Sequence, residues 1–494
     1  MPNLERNKLF EVINKYRDSI KIAVETDQRS VTYKDLNIEV HKLSAGIKRM
    51  NSKNTIIFIH NSIEFITAYF ALVYNNSTII PLYYELSIRE LIETYDFCDV
   101  QFIITNSDGI RKIKNGNELF FDNSNFFNID KNEFYLNSKL EPNDNNEECK
   151  AGVILRTSGS TSNPKYVQLS KDSIINNVIA NIQALDISNI DRSLIILPMA
   201  FAYCFHSQLL SHLLVGATVI LKPNKIYSFK GFVGLLNKRA ITNFATIPAF
   251  LISYIKQGSL VDVNCLNKIY IGADFFSKDL RSKLQKKFPN TQLYITYGMT
   301  EAGPRISTLK YKEGSNDENS VGRTLNQVHV KIVDHENKSL EPYEKGEIVI
   351  ATPSIMIGYY KNISLTTMTI KNSRLYTGDY GYLDEDKNLH LDGRIKNIIK
   401  VNGITINPEE IEECLLHYRE IKDVYVTGEY SYISGQKIVA YIVCRHKELC
   451  VEEIIKYCKT QLSKEKVPDK IYKVEVLSKT SSGKIIRNRG GQYD

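Results

Sequence analysis

Residues 156–166 read Arg-Thr-Ser-Gly-Ser-Thr-Ser-Asn-Pro-Lys-Tyr, and the fold turns on what this stretch is. Five hydroxyl side chains precede Lys165, Gly159 is the one glycine, and the apolar run Val153-Ile154-Leu155 leads in like the end of a strand. It is not a G-x-x-x-x-G-K-[ST] loop, because the second glycine and the residue after the lysine fail. Hydroxyls, successive backbone N–H groups and one ammonium can still cradle a polyphosphate. Taken alone, the stretch reads equally as a polar turn, so its surroundings must decide.

Upstream, strand and helix patterns alternate. Ser30–Leu36 reads as a short strand passing into a helix. Residues 55–59, 78–81 and 101–105 read as strands, and Ile63–Tyr74 as a helix. Residues 122–150, rich in Asn, Asp and Glu, predict a long surface connection. Downstream the alternation resumes, with strands expected at 194–197, 218–221, 243–247, 268–271 and 292–296. Helices are expected at Leu210–Val215 and Phe229–Arg239. Strands spaced by helices imply βαβ units and mostly parallel sheets. The fold class expected is therefore α/β, with two α/β lobes over roughly 1–310. Short strands with glycine turns at 320–392 predict a small β subdomain. A compact α+β tail follows, with helices near 408–417 and 451–462. This divides the chain into a large N-terminal domain, 1–395, and a small C-terminal domain, 396–494.

The 494 residues exceed what one core accommodates. A 43% hydrophobic and 24% charged composition is that of an ordinary globular protein. The net charge of +7 without a basic stripe gives no argument for nucleic acid. The eight cysteines form no C-x-x-C pair and no zinc spacing, as expected of reduced thiols in a cytoplasmic protein. The charged start, MPNLERNKLF, lacks the apolar core of a signal peptide. The most apolar run, 65–82, is broken by Asn75-Asn76-Ser77, so no membrane span is expected.

Three further groups of residues carry chemistry. Tyr297-Gly-Met-Thr-Glu-Ala-Gly303 follows a predicted strand, where α/β sheets place ligands. Its ring can stack on a base, and Thr300 and Glu301 can hold phosphate and a divalent ion. Tyr376-Thr-Gly-Asp379 offers a carboxylate for a ribose diol. Asp392-Gly-Arg394 and 396–403, Lys-Asn-Ile-Ile-Lys-Val-Asn-Gly, add cations. Ser478-Lys-Thr-Ser-Ser-Gly-Lys484 lies near the terminus, where a Gly/Ser loop is often only a tail. Each alone has a bland reading as a turn or a solvated basic face.

In this order, and inside this frame, the stretches closely resemble the adenylate-forming superfamily of acyl-CoA synthetases, peptide-synthetase adenylation domains and luciferase. The resemblance covers nearly the whole chain, with softer matches at SVTYKDL, ATIPAFL, GYYKN and INPEEIEECL. It implies a mobile C-terminal domain, ATP and Mg²⁺ as cofactors, and these roles. Thr157, Ser158, Gly159, Ser160, Thr161 and Lys165 would grip the β and γ phosphates. Tyr297, Gly298 and Met299 would line the nucleotide, with Thr300 near the α-phosphate and Glu301 at the magnesium. Asp379 would bind ribose and Arg394 contact ATP. Lys484 would touch the reacting carboxylate, Lys396 would serve as hinge, and Lys400 with Gly403 would face the site during thiol transfer. Phe201, Ala202, Gly272, Ala273, Asp274 and Gly303 would line the acyl pocket, within the stretches 198–204, 272–274 and 298–305.

The chemistry agrees. A carboxylate is ionised at neutral pH and needs no base to attack phosphorus. It needs relief from the triphosphate's charge, which lysines and magnesium supply. That leaves His206 and His212 as packing or pocket residues rather than catalytic ones. The expected activity is ATP-dependent formation of an acyl-adenylate with release of pyrophosphate, then transfer to a thiol. The acceptor is CoA or the phosphopantetheine of a separate carrier protein, since the sequence ends ten residues after Lys484. Amino-acid activation is the alternative, but Ala202 stands where such domains carry an Asp for the ammonium, unless Asp274 replaces it. A non-catalytic nucleotide or acyl binder is the other. One departure stands out: Tyr166 replaces the usual glycine after Lys165, and its ring must either narrow the loop or lie outward.

Overall fold

The computed structural model describes residues 8–48, 53–136, 152–157, 164–222, 228–255, 263–274, 276, 278–314, 319–395, 397, 399–401, 404–431, 435–445, 450–479 and 485. Two sheets form the large part of the molecule. In the first, strands Phe126–Asn128, Phe102–Thr105, Asn54–Phe58, Thr78–Pro81 and Val153–Thr157 run parallel in that spatial order. Lys165–Leu169 then returns antiparallel beside Val153–Thr157. The residues between Thr157 and Lys165 therefore connect a hairpin at the carboxyl end of the parallel strands.

In the second sheet, Ile22–Glu25, Thr218–Leu221, Arg192–Ile195, Asn243–Thr246, Lys268–Ile271 and Gln292–Tyr297 run parallel. These strands are almost continuously apolar and buried, as expected where helices cover both faces. Antiparallel strands Ser307–Lys310 and Ser320–Thr324 follow at its edge. Ser320–Thr324 also pairs with Leu389–Arg394. The expected β subdomain is thus continuous with the second sheet. One of its segments, Gly358–Tyr359, crosses over to pair with Lys165–Leu169 of the first sheet.

The C-terminal part has its own sheet and its own core, built on Ile411, Leu415, Val426, Ile438 and Ile454. Its helices Pro408–His417 and Val451–Gln461 match expectation. Asn407 caps the first through a side-chain bond to the Glu409 N–H, with Pro408 at the first helical position. The helix Tyr33–Ile47 begins at Thr32 with a capping box completed by Asp35, so the strand-to-helix reading of 30–36 holds.

Two expectations change. Residues 122–150 are not wholly a surface connection: Phe126–Asn128 and Glu133–Tyr135 pair as strands, with Phe126 and Phe127 buried. Two adjacent aromatic rings outweigh their polar flanks. The helix at 210–215 is the end of a longer segment, in which Phe205–Leu210 is π-helical and Ser211–Leu214 α-helical. Such widened turns are rare and commonly sit at functional sites.

Candidate active site

The carboxyl ends of both parallel sheets converge on the segment around Tyr359. The Ile357 N–H donates to Gln168 O and the Tyr360 N–H to Tyr166 O, both at 2.8 Å, tying the segment to the hairpin strand. The Met356 N–H donates to Glu301 O at 2.8 Å, tying it to the second sheet's loop. Tyr359 exploits this position. Its hydroxyl donates to Glu301 Oε1 at 2.8 Å, while the Lys165 ammonium lies 5.1 Å from its ring centroid. Burial and the Glu301 carboxylate push its phenol pKa up, so it remains a donor. One side chain thus braces the hairpin lysine and the loop carboxylate. Sequence reasoning gave Tyr359 no role; the GYYKN match was its signal.

The hairpin itself answers the question of Tyr166. Along Lys165–Leu169 side chains alternate, and Tyr166 turns away from the face that carries Lys165. Its hydroxyl is 3.0 Å from Thr94 Oγ1, and its ring stacks on Phe97 at 4.8 Å between centroids. It is buried in the cluster of Ile56, Phe58 and Ile154. The ring thus packs into the core of the first sheet, on the face opposite Lys165. Thr157 Oγ1 donates to Lys165 O at 3.3 Å across the hairpin. Ser158, Gly159, Ser160 and Thr161 lie outside the described residues.

Asp379 is buried and doubly held. Tyr297 Oη donates to its Oδ2 at 2.6 Å, and Arg394 Nε stands 2.5 Å from its Oδ1. The pairing of Arg374–Leu383 with Leu389–Arg394 sets Asp379 directly opposite Arg394. Gly378, at φ +70°, makes the turn before Asp379. Asp379 first, and then Tyr297 and Glu301, hold the Arg394 guanidinium more firmly charged. Burial and Asp379 push the Tyr297 phenol well up. The structure therefore brings together the carboxylate, cation and ring that the sequence named at separate places.

The loop 298–305 folds back tightly, closed by the Ile306 N–H donating to Tyr297 O at 2.7 Å. A Cβ on Gly298 would stand 2.2 Å from Pro304 O, so no side chain fits there. Thr300 and Glu301 occupy a 3₁₀ turn, Thr300–Ala302. Gly303 has φ +81°, and the Asn177 amide fills the place of its missing Cβ. Phe201 is half-buried beside Tyr83, at 5.6 Å between rings, and Ala202 is buried. Gly272 ends its strand, and a Cβ there would meet Thr296 Oγ1 at 2.3 Å and Tyr203 Oη at 3.2 Å. Ala273 and Asp274 are exposed. His206 and His212 are buried; burial lowers both, His206 to about 3, so neither is a proton carrier near neutrality.

Lys396, Gly403 and Lys484 lie outside the described residues, as does the Lys400 side chain. Around them, the Ile395 N–H donates to Gly378 O at 2.9 Å, and Ile485 pairs with Lys479. His417 Nε2 lies 3.4 Å from Asp279, bringing the C-terminal helix against the second lobe.

The sequence matches the family described as AMP-binding enzyme over residues 9–360, and the AMP-binding enzyme C-terminal domain over 410–484. The chain belongs to the AMP-binding enzyme family. Among relatives, a 4-coumarate-CoA ligase of Narcissus pseudonarcissus is 26% identical across 97% of this chain and 91% of its own. A 2-succinylbenzoate–CoA ligase of Bacillus cereus is 28% identical across 99% and 97%. A solved structure of o-succinylbenzoate CoA synthetase from Bacillus subtilis, with its acyl-adenylate intermediate, superposes with a TM-score of 0.85. It has 24% identity and covers 98% of both chains. The two-part α/β architecture of the AMP-binding enzymes is therefore that of this chain. Among the described residues no helix is long and apolar enough to cross a membrane.

Proposed function

We propose that this AMP-binding enzyme is an ATP-dependent acid–CoA ligase. It joins a small carboxylic acid to AMP, releases pyrophosphate, and passes the acyl group to the CoA thiol. The observation that carries this is the Tyr297–Asp379–Arg394 cluster on one side and the Glu301–Tyr359–Lys165 line on the other, both at the carboxyl ends of the sheets. The CoA ligase relatives, matched along nearly their full lengths, support CoA as acceptor over a carrier protein. The free cysteines among the described residues suit a reducing, cytoplasmic setting.

Asp379 accepts from the ribose hydroxyls on the lone pairs that Tyr297 and Arg394 leave open. Tyr297, Gly298 and Met299 flank the adenine, and Arg394 swings between Asp379 and the nucleotide. The hairpin 157–165 presents N–H groups, hydroxyls and Lys165 to the β and γ phosphates, while Thr300 donates near the α-phosphate. Glu301 fits a magnesium ion: it offers one oriented carboxylate, the modest protein share such an ion takes when phosphates and water complete its shell. Magnesium, when bound, neutralises charge on the phosphates. Lys484 steadies the attacking carboxylate and the α-phosphate. Residues 1–395 hold the nucleotide and acid, and 396–494 turn about Lys396 to bring Lys400 and Gly403 up for thiol transfer. Phe201, Ala202, Gly272, Ala273 and Gly303 bound the acyl group. Asp274 stands exposed at its rim rather than buried against a substrate ammonium, which disfavours amino-acid activation.

Lys484→Ala tests the assignment. Adenylation, read as acid-dependent pyrophosphate release, is expected to fall about 1,000-fold, as when one donor to a developing charge is lost. ATP binding by calorimetry should change little. Full adenylation in that variant would remove Lys484 from the mechanism.

A further inference from the structure

Arg305 is among the largest fully buried side chains of the molecule, with 1% of its surface exposed. Nothing in the adenylation chemistry uses it. A guanidinium carries five N–H donors and keeps its charge in any protein. Here Nε donates to Asn181 Oδ1 at 2.7 Å, and the guanidinium carbon lies 5.0 Å from the centroid of the Tyr203 ring. Both partners are neutral. Among the described residues no carboxylate lies within ion-pairing distance of Arg305. Contrast Arg192 and Arg239, which share Glu25, and Arg394, which has Asp379.

Burying an unpaired cation costs several kcal/mol, so a fold tolerates it only where something offsets the cost. Hydrogen bonds to Asn181 and to the Tyr203 hydroxyl, with one ring face, offset part of it but bring no negative charge. The rest points to a ligand, and the position says which. Tyr203 Oη stands 3.2 Å from where a Cβ on Gly272 would be, at the carboxyl end of a central strand. The backbone of Arg305 closes the loop that begins at Gly298, and its carbonyl accepts from Asn177 Nδ2 at 2.8 Å. Tyr203 therefore lies against Gly272, with the Arg305 guanidinium against its ring. An acyl chain whose activated carboxyl faces the nucleotide and that passes Gly272 would run toward this pair.

We infer that the substrate is a dicarboxylic acid, and that Arg305 pairs with the second carboxylate, the one remote from the reacting end. This rests on the ligase reading above and names its substrate class. The buried guanidinium also argues against an α-amino acid, since it repels an ammonium placed beside it. Arg305 is on this account a specificity residue and takes no part in phosphoryl chemistry.

The test compares matched acids in the full-length enzyme: succinate, glutarate, adipate, terephthalate and 2-succinylbenzoate, each beside its mono-amide at the remote carboxyl. The pairs differ in charge and hardly in size. Acid-dependent pyrophosphate release with hydroxylamine trapping gives kcat/KM for each. For the best diacid the wild type is expected to prefer the charged form by about 100-fold, the scale of a hydrogen bond to a charged group. Arg305→Met should abolish that preference. Arg305→Lys should keep its sign with a raised KM, because an ammonium lacks the guanidinium fork. Wild-type enzyme that adenylates the mono-amides as well as the diacids overturns the assignment and leaves the ligase reading intact. So does an Arg305 variant that melts lower yet keeps the charged preference of the wild type. Pyrophosphate release with an apolar monocarboxylic acid such as 4-coumarate but with no diacid also overturns the assignment, whereas failure of that acid too would defeat the ligase reading itself. The wild-type comparison needs no variant, so it decides the matter even if Arg305→Met folds poorly.

Discussion

The nucleotide side and the acyl side of this molecule treat charge in opposite ways. On the nucleotide side the described charges have partners within the chain: Asp379 has Arg394 and Tyr297, and Glu301 has Tyr359. On the acyl side Arg305 is buried with neutral company, and Oδ1 of Asn177, whose amide bonds the Arg305 carbonyl, has no partner among the described residues. A site satisfied by its own residues can wait for a ligand without cost. A site left unsatisfied stores a deficit that only the right ligand removes. The first arrangement suits a cosubstrate shared by a whole family, the second a substrate that distinguishes one member.

Three experiments put this contrast at risk. The largest effect should come from Asp379→Asn, which keeps the shape of the side chain and removes its charge. ATP affinity is expected to weaken by about 30-fold, since a hydrogen bond to a charged group is lost. Titration calorimetry reads it, and unaltered affinity would mean that the Asp379 cluster is only a structural clasp.

Next in size is a pH effect of the buried segment Phe205–Leu210. Burial lowers His206 from 6.5 to about 3. Between those values the unfolded chain binds a proton that the folded chain does not, so stability falls as pH drops below about 6.5. The slope is at most about 1.4 kcal/mol per pH unit for one such group. It flattens below the folded value, where both states are protonated. Denaturant melts across this range should show the slope reduced in His206→Leu, with a remainder from His212, which burial lowers in the same direction. Equal slopes in both proteins would contradict a neutral buried His206.

The smallest effect belongs to Tyr359→Phe. It removes the bond to Glu301 while keeping the ring beneath Lys165, and should slow adenylation about fivefold, the worth of a modest hydrogen bond. A loss no smaller in Tyr359→Phe than in Tyr359→Ala would show that the ring contributes nothing through Lys165.

Much of this was legible in the sequence because the motifs follow strands. The runs 153–155, 268–271 and 292–296 are apolar and short, and the residues just after them sit at the carboxyl edge of the sheets. The alternation within Lys165–Leu169 was also enough, once that strand was known, to turn Tyr166 away from the face that carries Lys165. Tyr359 was harder, because its meeting with Lys165 and Glu301 depends on a two-residue strand pairing across nearly 200 positions. Arg305 was harder still. A sequence says that an arginine is present, but not that tertiary packing has shut it from water. Phe126 and Phe127 were hidden for the converse reason, since Asn and Asp on either side suggested a surface connection.

Everything proposed for this chain depends on its making an acyl-adenylate, and that species can be trapped. Enzyme, ATP, magnesium and a panel of carboxylic acids are incubated with hydroxylamine, and pyrophosphate and hydroxamate are measured together. Both should appear in equal amounts with the accepted acid, and CoA in place of hydroxylamine should yield the thioester. ATP binding with no acid-dependent pyrophosphate from any member of the panel would contradict the adenylate mechanism.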